Sequence, residues 1–196
     1  ADILNLDGKK VSTNEMGELV MRKSSIGLTK SLWNDDKRYI DNYWSVIKDY
    51  WVHGDLASRD ADGHWYLHGR SDDTIKVSGK RIGPSELESV IIKSGKAKEV
   101  AAVGIPDENK GSKIILSIVP AENNDQKESF FEDLVIKDLG KSFKPDKVIF
   151  VKDLPKTRNM KIMRRVIKSC LANQDPGDLS TLLNPESVEE IRSHAI

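Results

Sequence analysis

Glycine and proline punctuate residues 74–119 closely enough to dictate an order of elements. Residues 74–77 read as a short strand and Ser78-Gly79 as the turn after it. Pro84 suits the first helical position, where its missing N–H is not needed, and Ser85 and Glu88 stand nearby at capping-box spacing. That helix runs to about Ser94, and Gly95 stops it. Two apolar runs, 100–105 and 113–119, then read as strands around a loop over 106–111. Phe130, Phe131, Leu134, Val135 and Leu139 make a helical stripe across 126–139, ended by Gly140. A third strand is predicted over 147–151 and a last helix over 161–171. The tail is rich in Asp, Asn, Pro and Ser and is expected to be loosely structured.

Upstream the texture differs. Residues 1–70 read as β-rich: 17–22 alternates as a half-buried strand, and Asp62-Gly63 is a strong turn signal before a strand over 64–68. Residues 35–43 are a short helix candidate. The change near Arg70–Asp72 sets an expected boundary between 1–70 and 71–196. The fold class expected is α+β, a β-rich part followed by a small domain of strands packed by helices.

Charge narrows the function classes. Lys plus Arg and Asp plus Glu are both 31 in 196 residues, so the net charge is zero, which excludes a globally basic nucleic-acid binder. No apolar run of membrane-spanning length occurs, and the first residues have neither the basic nor the apolar region of a signal peptide. Cys170 is the only cysteine, so no intramolecular disulfide is possible; a reducing, cytoplasmic home is expected, with the thiol in packing.

Four segments could carry chemistry. In Trp51-Val52-His53-Gly54-Asp55, a glycine before an aspartate at a strand end lets a ligand approach the backbone, and the carboxylate can accept both hydroxyls of a ribose; an aspartate in a turn is the plainer alternative. In Gly69-Arg70-Ser71-Asp72-Asp73, the planar fork of Arg70 could read a ribose or phosphate, or pair with Asp72 or Asp73. Ser78-Gly79-Lys80-Arg81-Ile82-Gly83-Pro84 places two cations before a helix start, either an anion site or an ordinary connection. Residues 152–168 hold seven cations against the single anion Asp153, and Lys161, Arg164, Arg165 and Lys168 are spaced for one helix face. That segment could be a solvated face, a nucleic-acid patch or a phosphate-handling loop. The four histidines show no metal-ligand spacing and read as packing or surface residues.

Their order carries more than any one of them. Gly54-Asp55, Gly69-Arg70-x-Asp72-Asp73, Val77-Ser78-Gly79-Lys80-Arg81-Ile82-Gly83-Pro84-x-Glu86-x-Glu88, and Pro155-Lys156-Thr157-Arg158-x-x-Lys161-Ile162-Met163-Arg164-Arg165 follow one another. This series resembles the carboxy-terminal third of the AMP-forming acyl-CoA synthetases, in the adenylate-forming superfamily, and most of all those acting on acetate. The tail Gly177-Asp178-Leu179-Ser180-Thr181-Leu182-Leu183-Asn184-Pro185 resembles their C-terminal extension.

The resemblance implies roles. Residues 1–70 would be the last part of a large adenylating domain, and 71–196 a small mobile domain with its extension, inactive without what precedes them. ATP, coenzyme A and Mg²⁺ would be the cofactors. The substrate would be a short carboxylic acid, acetate first, with propionate and 3-hydroxypropionate close behind. Asp55 and Arg70 would hold the ribose, and Arg81 a phosphate. Asp72 would be the hinge, and Ser78 and Gly79 would line the coenzyme A channel. Lys161 would serve the adenylation step, and the matching lysine is a reversible acetylation site, so a lysine acetyltransferase and deacetylase are implied partners. Main-chain carbonyls of Ile92, Ser94 and Ala97 would hold the metal. Asn159-Met160 stands where the family has Ser-Gly, Ile136 where the acetate enzymes carry an arginine for coenzyme A, and Ser94 where histidine is frequent. Two other readings stand beside this one: a nucleic-acid-binding module using 152–168, and a regulatory domain without catalysis. Neither a membrane nor a nucleic acid is expected as a partner of the enzyme.

Overall fold

The structure is a computed structural model and describes residues 1–122 and 125–196. The chain packs as two units, Ala1–Asp72 and Asp73–Ile196.

The first unit is built on an antiparallel sheet of β1 (Asp2–Leu4), β2 (Gly17–Met21), β3 (Trp51–Arg59) and β4 (Trp65–Arg70), paired in that order. Gly17 has no room for a side chain, since a Cβ there would meet the Leu4 carbonyl at 2.6 Å. Helix α1 (Asp36–Tyr43) starts because Asp35 accepts the Arg38 N–H at 3.1 Å, an N-cap. Tyr43 stacks on Trp51 at 5.2 Å, tying the helix to β3. Leu4, Val20, Ile47 and Val52 form the buried centre.

In the second unit β5 (Ile75–Val77) and β6 (Lys80–Ile82) form a hairpin. A three-stranded sheet follows: β7 (Ala97–Asp107) runs antiparallel to β8 (Gly111–Pro120), and β9 (Lys147–Phe150) runs parallel to β8. Both faces of this sheet are covered, which explains why its strands are continuously apolar rather than alternating. Helices α2 (Pro84–Lys93) and α3 (Glu128–Leu139) cover one face, where Val100, Ala102, Ile114, Leu116 and Ile118 meet Leu87, Ile91 and Phe131. Helices α4 (Arg164–Leu171) and α5 (Glu186–Arg192) cover the other, where Ala101, Val103, Ile105 and Ile115 meet Val166, Ile167, Val188 and Ile191. No helix among the described residues is long and apolar enough to cross a membrane.

Three expectations need correction. The α2 start is closed by Glu86, whose carboxylate accepts the Gly83 N–H at 3.1 Å, rather than by Glu88. The basic segment is not helical from Lys161: α4 begins at Arg164, and Lys161 precedes it in a hairpin. The tail is ordered, because α5 supplies buried apolar side chains that close the second face of the sheet.

Candidate functional site

In the first unit, Asp55 and Arg70 are register partners across β3 and β4. Gly54 and Asp55 lie inside β3 rather than at its end, contrary to expectation, and Gly54 departs from strand geometry with φ +82°. A Cβ on Gly54 would meet Arg70 Nη2 at 2.8 Å, so glycine is what lets the guanidinium lie against the backbone. Arg70 donates from Nη1 to the His53 carbonyl at 3.3 Å. It also forks onto Asp72, Nε to Oδ1 at 3.0 Å and Nη2 to Oδ2 at 3.3 Å. Asp55 Oδ2 lies 2.7 Å from His53 Nδ1, and Arg70 Nη1 is 3.9 Å from Asp55 Oδ1. Asp55, Arg70 and Asp72 are therefore gathered, and His53, read from sequence as packing or surface, joins them. Alternation along one strand, which puts residues 53 and 55 on the same face, was the signal that could have found it. Nearby, ligand atoms of Asp60, Asp62 and His64 converge at the β3–β4 turn. There Asp60 is already engaged by the His64 N–H and the Tyr66 hydroxyl, at 2.8 and 2.9 Å.

In the second unit, Ser78 and Gly79 form the two-residue tip of the β5–β6 hairpin, with φ +49° and +81°, as a type I′ turn demands. The Ser78 N–H donates to the Lys110 carbonyl at 2.8 Å, which docks the tip against the β7–β8 turn. Arg81 pairs in register with Lys76 on the exposed stretch of that hairpin.

Lys161 is carried by a second hairpin. Lys156 bridges Ile162, the Thr157 N–H donates to the Lys161 carbonyl at 2.9 Å, and the Met160 N–H donates to the Thr157 carbonyl at 2.8 Å. This is a three-residue loop closed by a left-handed residue, and Met160 occupies that position with φ +62°. A side chain thus stands where glycine would be unstrained.

Three of the cations around Lys161 are committed elsewhere: Lys156, Arg164 and Arg165. Lys156 is buried, with Nζ 2.6 Å from Asp153 and 2.8 Å from Glu99. Burial works against its charge, but these two carboxylates prevail and hold its pKa above the usual lysine value. For Asp153, burial works to raise the pKa, yet donors from Lys156, Leu154 and Asn184 hold it below the usual carboxylate range. Arg164 forks onto Glu88, and Arg165 donates to the carbonyls of Pro176 and Asp178. Lys161 itself is exposed, and among the described residues its ammonium pairs with no carboxylate. The expected one-face stripe is therefore broken up, since Lys161 precedes the helix and Arg164 and Arg165 are drawn to other partners. Cys170 is buried, and burial raises its pKa, so it is held as a neutral thiol.

The suggested metal residues sit where α2 ends. Helix C-terminal carbonyls carry partial negative charge, and Mg²⁺ prefers oxygen ligands. The Ile92 carbonyl accepts the Gly95 N–H at 3.0 Å and keeps a second lone pair. Ala97 opens β7 opposite Pro120, and the neighbouring ladder bond runs from the Ala121 N–H to the Lys96 carbonyl at 3.1 Å. This donor set suits a hard cation.

Residues 86–161 match the AMP-binding enzyme C-terminal domain. Lys161 is its last matched residue; Asp55, Arg70, Asp72, Ser78, Gly79 and Arg81 precede it. Beyond this domain, the chain is 40% identical over 197 residues to an acetyl-coenzyme A synthetase of Methanothrix thermoacetophila, covering 97% of this chain and 30% of that one. It is also 40% identical over 206 residues to an acetyl-coenzyme A synthetase of Helicobacter pylori, covering 98% and 31%. The chain thus spans about 30% of the length of these relatives. Among solved structures, an anthranilate CoA ligase in complex with anthranoyl-AMP superposes with TM-score 0.69 at 28% identity, over 82% of this chain and 31% of that one. The acetoacetyl-CoA synthetase of Streptomyces lividans shares the fold with TM-score 0.86 at 22% identity, over 98% of this chain and 30% of that one.

Proposed function

We propose that this chain serves as the C-terminal portion of an AMP-forming acyl-CoA synthetase that activates acetate or a similar short acid, such as propionate or 3-hydroxypropionate. The supporting observation is the Lys161 hairpin: the segment matching the AMP-binding C-terminal domain ends on an exposed ammonium that pairs with no carboxylate among the described residues, while Lys156, Arg164 and Arg165 near it are bound to carboxylates or carbonyls. The identity to acetyl-CoA synthetases extends across both units and supports the choice of acid.

In this reading, residues 1–70 close the large adenylating domain, and 71–196 form the small domain with its extension. A carboxylate oxygen of the acid attacks the α-phosphorus of ATP, the bond to pyrophosphate breaks, and acyl-AMP forms. Asp55 accepts the ribose hydroxyls, Arg70 steadies the same sugar, and Arg81 meets a phosphate. Lys161 brings a full positive charge on a flexible stem to the oxygens where negative charge develops. Asp72 is the pivot about which the small domain turns, a few backbone torsions absorbing the rotation. Ser78 and Gly79 then line the path along which the coenzyme A thiol reaches the acyl carbon, and AMP leaves. The carbonyls of Ile92, Ser94 and Ala97 would hold Mg²⁺ at the end of α2, where its charge steadies the loop. Acetylation of Lys161 by a lysine acetyltransferase would remove the charge and silence adenylation, and a deacetylase would restore it. A cytoplasmic setting fits the reduced, buried Cys170.

The test is ATP–pyrophosphate exchange by the full-length protein with acetate, propionate and 3-hydroxypropionate in turn, followed by coenzyme A. Acid-dependent exchange, then AMP and thioester release, is expected. Cleavage to ADP and phosphate, or no dependence on a short acid, would refute the reading.

A further inference from the structure

The tail holds the base of the Lys161 hairpin through one buried side chain. Asn184 is 6% exposed, although it lies 23 positions beyond Lys161 in a segment composed like a loop. Its Oδ1 accepts the Lys156 N–H at 3.0 Å, and its Nδ2 donates to Asp153 Oδ2 at 2.6 Å and to the Leu154 carbonyl at 2.8 Å. Both hydrogens and the oxygen of the amide are thereby used on residues 153–156, the segment that leads into the hairpin. On either side of it, the Leu183 N–H donates to the Lys156 carbonyl at 2.8 Å, and Leu182 bridges Thr157. The extension therefore runs as a third strand-like layer along residues 156–157. Arg165 anchors its upstream end at the carbonyls of Pro176 and Asp178. Gly177 suits that place through its φ of +68°, a left-handed conformation that favours glycine.

We infer that Asn184 is a positioning residue for adenylation, holding the Lys161 hairpin in register from the C-terminal extension; this rests on the proposed role of Lys161. The physical need is plain. Lys161 reaches out from a loop whose tip carries a left-handed methionine, so the loop does not hold its shape by local preference alone. A charge must be placed to within a fraction of an ångström to stabilise a transition state, and a loop fixed at its base provides that placement. Asn184 is suited to the task where aspartate is not: a carboxylate there would face the Asp153 carboxylate and lose both donated bonds. The extension thus becomes part of the catalytic apparatus without touching substrate.

The test compares Asn184→Ala, Asn184→Asp and the exchanged pair Asp153→Asn/Asn184→Asp in the full-length protein, with Lys161→Ala run in parallel. Pyrophosphate exchange and thioester formation from supplied acyl-AMP are measured separately, together with amide hydrogen exchange at Thr157 and Leu183. For Asn184→Ala, kcat for adenylation should fall about 10-fold with KM for ATP little changed, since the reacting charge is misplaced rather than removed. Thioester formation should stay within about 2-fold, and the Thr157 and Leu183 amides should lose protection. Asn184→Asp should be at least as impaired, and the exchanged pair should recover part of the loss because a donor again faces an acceptor. Where Asn184→Ala does not fold, Asn184→Ser keeps a short polar group and answers the same question. Equal losses in both half-reactions, or an unaltered adenylation rate with the amides still protected, would overturn the positioning role. If Lys161→Ala left adenylation intact, the reading of Lys161 would fail instead, and the positioning role with it.

Discussion

Arg164 forks onto Glu88 across 76 positions of sequence, Nε to Oε1 at 2.8 Å and Nη2 to Oε2 at 2.6 Å, while Glu88 Oε1 also accepts the Ala102 N–H at 3.0 Å. One carboxylate thus ties α2, β7 and the first turn of α4 together, although α2 and α4 lie against opposite faces of the sheet. The hydrogen bonds that Arg164 donates to Glu88 outweigh desolvation and raise the Arg164 pKa above its ordinary value. Removing the acceptor charge leaves a guanidinium with a weaker partner. Glu88→Gln should cost about 2–3 kcal/mol of stability, measured as a lower urea midpoint at unchanged slope.

The proposed ribose site in the first unit separates binding from folding. Asp55→Ala removes a charged acceptor from the ribose and should weaken ATP by about 1.5–3 kcal/mol in calorimetric titration of the full-length protein. The fold should lose little, since the carboxylate is tied to Arg70 only at 3.9 Å and to an exposed His53. Gly54→Ala should do both kinds of harm. It forces an alanine to φ +82° and pushes the Arg70 guanidinium aside. A stability loss of about 1–2 kcal/mol is expected from the backbone alone.

At the hairpin tip the sign is opposite. Met160 is 60% exposed, so replacing it forfeits little packing. Met160→Gly relieves the left-handed strain but gives the unfolded chain more freedom, and the net gain should be about 0.5 kcal/mol. Chemical denaturation checks this; a loss of stability would mean that the methionine is held by contacts rather than tolerated.

Proton linkage follows from the Asp153–Lys156 pair. The Asp153 pKa is lower when folded, because donors outweigh burial. Its contribution to stability is therefore present above the unfolded carboxylate pKa and lost as pH falls through the folded one. The Lys156 pKa is raised when folded, so its contribution is present below the unfolded lysine pKa and lost as pH rises through the raised value. Denaturant titrations should show both limbs, and Asp153→Asn should flatten the acidic one.

Local signals read well from sequence. The short helix over 35–43, the Ser78-Gly79 turn, Pro84 at the start of α2 and Gly95 at its end are all decided within a few residues, and the structure keeps them. Long-range partners were not legible. The spacing of Lys161, Arg164, Arg165 and Lys168 imitates a helix face, but the bridge between Lys156 and Ile162 draws Lys161 into a hairpin. Glu86 and Glu88 are equally acidic in sequence; only the fold turns one to the Gly83 N–H and the other to Arg164. The tail is polar in composition because its buried work is done by Asn184 and by a few apolar residues of α5, a pattern too sparse to announce itself. The candidate site was legible as ordered motifs, while the part played by Asn184 depended on a contact that no spacing reveals.

Lys161→Ala in the full-length protein tests the central claim most directly, with pyrophosphate exchange measured beside thioester formation from supplied acyl-AMP. The exposed, unpaired ammonium should account for about 10²–10³-fold of the adenylation rate, the usual size for a lost transition-state donor. Thioester formation should change little. Equal losses in both half-reactions, or an undiminished exchange rate, would contradict the account.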